Sequence, residues 1–154
     1  MVELLLVIIS VALILACGGF VAAEFAFVTV DRSTVDREAE AGDRRAIGVR
    51  SALRRLSTHL SAAQIGITLI NLMIGFLAEP AISGLLEAPL GAVGVSDGAV
   101  TGVALLIGFI IANGLTMVFG ELVPKNLAIT RPFETAKAVQ SFQRGFTAAL
   151  GPVI

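Results

Sequence analysis

The sequence predicts an all-α integral membrane protein with three transmembrane helices, cytoplasmic juxtamembrane helices and an N-terminus outside. Three observations predict it. Hydrophobic residues are 56% of the 154 and mean hydropathy is +0.91, while charged residues are 15%, against roughly 25% in an ordinary soluble domain. Three runs carry no charge at all: Leu4 to Ala23, Leu60 to Ala78 and Ala99 to Gly120. Each is near the ~20 residues that a helix needs to cross a ~30 Å hydrocarbon core. All eleven Lys and Arg residues fall in two segments, one between the first two runs and one after the third.

The first run follows Met1-Val2-Glu3, which has no basic residue. It is also longer than a signal-peptide core, so it is read as a retained span. Seven arginines (Arg32, Arg37, Arg44, Arg45, Arg50, Arg54 and Arg55) precede the second span. Lys125, Arg131, Lys137 and Arg144 follow the third. The stretch from Glu79 to Gly98 has no base and carries Glu79, Glu87 and Asp97. It is expected to be an outer loop, because basic segments stay in the cytoplasm. The expected spans cover residues 2–30, 60–80 and 98–123, with cytoplasmic helices over 32–58 and 131–150.

In the first basic segment Val35 and Ala39, then Ala46, Val49, Leu53 and Leu56, recur at helical spacing, with Gly42 dividing two pieces. Asp36, Glu38 and Glu40 come early and the arginines late, which suits the helix dipole. The stretch reads first as a pair of solvated helices, to which arginines facing anionic headgroups would add a contribution. After Pro132 a stripe of Phe133, Ala136, Val139, Phe142, Phe146 and Leu150 opposes Glu134, Lys137, Gln140 and Arg144. That pattern predicts an amphipathic helix on the inner membrane surface or packed under the bundle. The apolar ending Gly151-Pro152-Val153-Ile154 suggests a membrane domain cut from a longer protein.

Several classes are disfavoured. The single cysteine, Cys17, offers no disulfide or metal framework. A net charge of −1 argues against a nucleic-acid partner. With His59 the only histidine, and no Gly-rich phosphate loop, enzyme chemistry is not expected.

Polar groups inside a membrane are costly, so each one asks for a reason. Glu24 follows twenty uncharged residues and sits before the cytoplasmic end of the first span. Gln64, Thr68 and Asn71 stand four and three residues apart on one helix face, with Gly66 and Gly75 allowing close helix approach. The third span offers Asn113, Thr116, Gly120 and Glu121. Pro124 has no amide for the carbonyl of Gly120. A carboxylate beside a freed carbonyl, with amides and hydroxyls opposite, makes an all-oxygen site that suits Mg2+, Ca2+ or Na+. Lys125 is placed to pair with Glu24 or to reach the inner headgroups. The same polar residues are also what interhelical hydrogen-bond glue would look like.

The stretches "FVAAEFAFVTVDRSTVDREAEAGDRRA", "LSAAQIGITLIN" and "FGELVPKNLAI" resemble the DUF21 transmembrane domain of the CorC/CNNM family, also called hemolysin C-like. The resemblance implies a homodimer in the bacterial inner membrane, with three spans per subunit. It also implies a cytoplasmic CBS-domain pair in the parent chain, and magnesium efflux that some members couple to Na+ entry. It carries Glu121, Asn71 and the carbonyl of Gly120 forward as cation ligands, with Glu24 tuning the inner mouth. Pro124 would hold the kink and Lys125 would be the inner-mouth charge. Relatives often read Phe-Ser-x-Ser-Glu, where this chain reads Phe20-Val21-Ala22-Ala23-Glu24. They often read Gly-Asn-x-x-x-Asn, where it reads Gly66-Ile67-Thr68-Leu69-Ile70-Asn71. Thr68 and Gln64 are candidates to replace the missing oxygens. Two other functions stay open: export of another cation such as a polyamine, and a non-transporting dimeric module for partner binding or regulation.

Overall fold

The computed structural model describes residues 2–151. The apolar ending at residues 152–154 falls outside them. Among the described residues every element is helical: α1 (Val2–Thr29), α2 (Arg32–Glu40), α3 (Arg44–Leu53), α4 (Leu56–Ala92), α5 (Asp97–Leu115), a π-helical segment (Thr116–Leu122), α6 (Val123–Thr130) and α7 (Pro132–Leu150). Three stretches are long and apolar enough to cross a membrane: Leu4–Thr29, Leu56–Ala92 and Gly98–Thr130.

The first span is the hub. It packs on α4, α6, α7 and the π segment, and α5 reaches the bundle through α4. Small residues permit this. Ala22, Ala23 and Ala26 are buried, and a Cβ added to Gly66 of α4 would lie 2.7 Å from the ring of Phe20. One core cluster joins Ala23, Phe27 and Val30 to Val35, Val49, Leu53, Ala128 and Ala136. A second joins Ile14 to Ile74, Ala78 and Ala112. On the outward face Leu4, Leu5, Ile8 and Leu15 are exposed, as a helix apolar all round requires in lipid.

The expected break at Gly42 is present, with a φ of 96°. That left-handed conformation favours glycine. Each piece starts on an aspartate the sequence reading passed over. Asp31 accepts from the amides of Ser33 and Thr34, and Asp43 from those of Arg45 and Ala46. Asp31 also accepts the Ser33 and Thr34 hydroxyls, which holds its carboxyl down at about 2. Hydrogen bonds to the charged form have that effect.

Two expectations change. The outer loop expected over Glu79 to Gly98 is mostly helix, because α4 continues to Ala92 through Pro80 and Pro89. Only residues 93–96 separate it from α5. Each proline removes one amide donor, but packing carries the helix past them. A Cβ on Gly108 of α5 would stand 3.1 Å from the Ser83 nitrogen and 3.2 Å from the Glu79 carbonyl. The second change concerns α7, whose polar side was expected to face away from the bundle. Gln140 is instead buried, together with Gln143 and Thr147. Gln143 Nε2 donates to the His59 carbonyl at 2.7 Å, and Thr147 Oγ1 lies 2.9 Å from His59 Nδ1. Hydrogen bonds ease this burial: the start of α4 engages Gln143 Nε2 and Thr147, Gln140 bonds within α7 to Ser141 and Arg144, and Gln143 Oε1 is left without a partner among the described residues. Phe142 and Phe146 flank the seam and pack on Phe20, with ring centroids 4.7 and 4.5 Å away.

Candidate cation site

The fourth helix carries Asn71, Gly75 and Glu79 at steps of four, which stack on one face. A Cβ on Gly75 would meet nothing within 4 Å, so this face is hollow. Opposite stand Asn113, Thr116 and Glu121 from α5 and the π segment. The five polar side chains line one open cavity of about 420 Å³, with Ile74, Phe109, Ala112 and Met117 as its apolar wall.

The π segment is what turns Glu121 into this cavity. In a regular α-helix a residue five positions on points ~140° away. With i→i+5 bonding, residue 121 returns over residue 116. The amide of Val123 reaches the carbonyl of Val118, five residues back. The cause lies one residue further. In an α-helix the ring of Pro124 would press on the Gly120 carbonyl, and the wider turn relieves that contact. Pro124 then fits a notch in α1: a Cβ on Gly18 would lie 2.9 Å from Pro124 Cγ and 3.0 Å from the Phe119 carbonyl.

The polar groups are arranged as acceptors. Asn113 Nδ2 donates to the Phe109 carbonyl at 2.9 Å and Thr116 Oγ1 to the Ala112 carbonyl at 2.8 Å. The Thr116 hydroxyl and one N–H of Asn113 are thus used on their own helix, and oxygen lone pairs remain. Cys17 Sγ donates to Asn71 Oδ1 at 3.5 Å. Two carboxylates with three neutral oxygen-bearing side chains suit a hard cation. Among the described residues no three His, Cys, Asp or Glu side chains gather.

The structure divides the residues that the sequence put forward. Glu121 and Asn71 meet in the cavity. Gly120 is buried beside them but faces α1, where a Cβ would lie 3.6 Å from the Ile14 carbonyl. Gln64 and Thr68 are not brought in. They line a separate shallow hollow with Ser61, and Thr68 Oγ1 donates back to the Gln64 carbonyl at 2.9 Å. Glu24 is half-buried in α1, away from the cavity lining. Lys125 does not pair with Glu24, because both ion pairs among the described residues belong to Lys137. Its ammonium lies 4.6 Å from the centre of the Phe25 ring instead, a cation–π contact. Phe25 and Glu24 are consecutive and so diverge by ~100° around α1. The residue missed is Glu79, which had been assigned to an outer loop. The signal for it was its spacing of eight from Asn71.

Comparison with known proteins now bears on this arrangement. The description of the cyclin M (CNNM) transmembrane N-terminal domain matches residues 8–154. The chain belongs to this family. The UPF0053 protein MT1890 of Mycobacterium tuberculosis is 44% identical over 143 residues, which cover 93% of this chain and 31% of that protein. The UPF0053 protein YhdT of Bacillus subtilis is 36% identical over 149 residues, covering 97% and 32%. The chain therefore spans about a third of the length of these relatives. As a cyclin M transmembrane domain, it sets Glu121 and Pro124 of the Gly-Glu-x-x-Pro-Lys element at a helix interruption beside a polar cavity.

Proposed function

We propose that this domain carries a divalent cation across the membrane, with Mg2+ leaving the cell and Na+ entry as the coupling step. The observation that carries the reading is the meeting of Glu79, Glu121, Asn71, Asn113 and Thr116 in one cavity at an interrupted span. Discontinuous helices with oxygen acceptors between spans are a recurrent transporter design. Glu121 and Glu79 supply charge, and the amides and hydroxyl replace part of a hydration shell. They compensate for Val21 and Ala23, buried apolar residues where relatives often have serine. Pro124 maintains the π turn that aims Glu121.

The basic segments support a cytoplasmic location for α2, α3 and α7 in a bacterial inner membrane, with the N-terminus outside. Exposure supports a homodimer. Asn113, Glu121 and Phe76 are exposed in the single chain, and a carboxylate does not face lipid tails without cover. A second copy would provide that cover. A CBS-domain pair in the parent chain is the expected cytoplasmic partner.

Reconstitution tests this reading. Liposomes loaded with a Mg2+-sensitive dye are given Mg2+ gradients with and without an opposing Na+ gradient, and a polyamine is added as competitor. Flux that Glu121→Gln lowers at least about tenfold supports the reading, since even outer partners of metal ligands alter affinity on that scale. Equal flux in the variant refutes it. A silent but dimeric parent protein favours the non-transporting module, and polyamine-sensitive efflux favours the other cargo.

A further inference from the structure

A second cavity, about 1010 Å³ and open to the outside, lies at the far end of α4 from Glu79. The end of α3, the first turn of α4 and the later half of α7 enclose it. Arg54, Arg55 and Arg144 line it, with the hydroxyls of Ser51, Thr58 and Ser141 among them. His59 and Thr147 form a buried floor, held together at 2.9 Å.

The charge in this hollow is one-sided. No acid lines it. The ion pairs within 4 Å among the described residues all involve Lys137. Arg144 Nη1 reaches only the neutral Gln140 Oε1, at 3.3 Å. Asp36 borders a smaller cavity on the other side of Arg54 and makes no ion pair with it. Three guanidinium groups around one space repel one another unless an anion sits among them. Their planar forks match phosphate oxygens two at a time, and hydroxyls add further donors. The first turn of α4 has no side-chain cap, which leaves amide donors at the same place.

The position narrows the ligand. The uncharged part of the second span begins at Leu60, immediately after the residues that line the cavity. The hollow thus stands where water meets hydrocarbon, the level of lipid phosphates. It is also roomy enough for a whole headgroup. We propose that Arg54, Arg55 and Arg144 bind a phosphate group, either that of an anionic phospholipid or that of a soluble phosphate anion. This inference is independent of the cation site.

The test uses detergent-purified protein and measures its melting temperature and bound mass. The probes are phosphatidylglycerol, phosphatidylcholine and inorganic pyrophosphate. Retention of phosphatidylglycerol over phosphatidylcholine identifies lipid as the source. A rise in Tm with pyrophosphate at physiological salt identifies a soluble phosphate. In either case Arg144→Gln should weaken binding about tenfold, the scale of one hydrogen bond to a charged group. Arg54→Gln with Arg55→Gln should weaken it further, and Arg37→Gln, outside the cavity, should leave it unchanged. If the double variant fails to fold, Arg144→Gln decides alone, because that side chain is exposed and bonds only within α7. Binding of neither probe, or equal binding by wild type and Arg144→Gln, overturns the proposal.

Discussion

The first and second halves of α4 carry one polar stripe with two fates. Gln64, Thr68, Asn71, Gly75 and Glu79 follow steps of three and four, so they share a face. The earlier pair looks out onto a shallow hollow, and Thr68 satisfies itself on its own helix. The later members face Asn113, Thr116 and Glu121 across a cavity. Their chemistry is alike, and the difference lies in the neighbour. Below Asn71 the contacts of α4 are made by its other face, through Ala62, Ala63 and Gly66, with Gly66 against Phe20. From Asn71 onward, α5 and the π segment stand opposite. A polar stripe in a membrane becomes a site where a second helix brings acceptors to it.

The sharpest way to break this comparison is to exchange the two halves as targets. Glu121→Gln should lower cation flux at least about tenfold. The double change Gln64→Ala and Thr68→Ala should stay within about twofold, as surface changes away from special features do. Equal losses in liposome flux would show that the stripe works as a unit. A second test removes the cause of the turn. Pro124→Ala restores an amide and allows regular α bonding, which rotates Glu121 away from Thr116. Flux should fall about tenfold, the direction expected when a positioned group is misplaced, while circular dichroism stays unchanged. Full flux would mean that the π turn does not depend on the proline.

Two of the glycines of α4 give a subtler contrast. Gly66→Ala drives a methyl to within 2.7 Å of the buried Phe20 ring. It should cost about 1–3 kcal/mol, as overpacking does, and is read as a lower Tm. Gly75→Leu enters open space in the cavity. It should leave Tm close to wild type but reduce flux. The smallest effect is expected at α2. The Asp31 carboxyl is held at about 2, below its ordinary value of ~3.9. Its contribution is therefore complete above pH ~4 and is lost as pH falls through about 2. Asp31→Asn should slightly lower Tm at neutral pH and flatten that acid limb, which a pH series of thermal melts would detect.

Some of this was legible in the residues and some was not. The three uncharged runs, the break at Gly42 and the helix after Pro132 all follow from local composition, and all are present. Asn71 and Glu121 were recognisable because polar groups stand out in apolar runs. Glu79 was not, because Pro80 and the neighbouring acids looked like a loop until α5 held the helix together. Gln64 and Thr68 looked equivalent to Asn71 because a single helix does not reveal which part of a face is covered. The burial of Gln140, Gln143 and Thr147 was hidden for a similar reason: His59, the partner of Gln143 and Thr147, lies more than eighty residues earlier in the chain, and Gln140 packs on the equally distant Gly48.

By itself, then, the sequence determined the membrane class, the three spans and the identity of the acid, the proline and the base near the end of the third. Hydropathy, turn chemistry and the lack of an amide in proline are properties of residues and their near neighbours. Only the tertiary structure decided that Glu121 faces Asn71 and Glu79, that Lys125 rests on Phe25, and that two arginines from the turn between α3 and α4 and one from α7 surround one hollow. Those outcomes depend on how far one helix turns and which helix lies against it, quantities set by packing between segments distant in the chain.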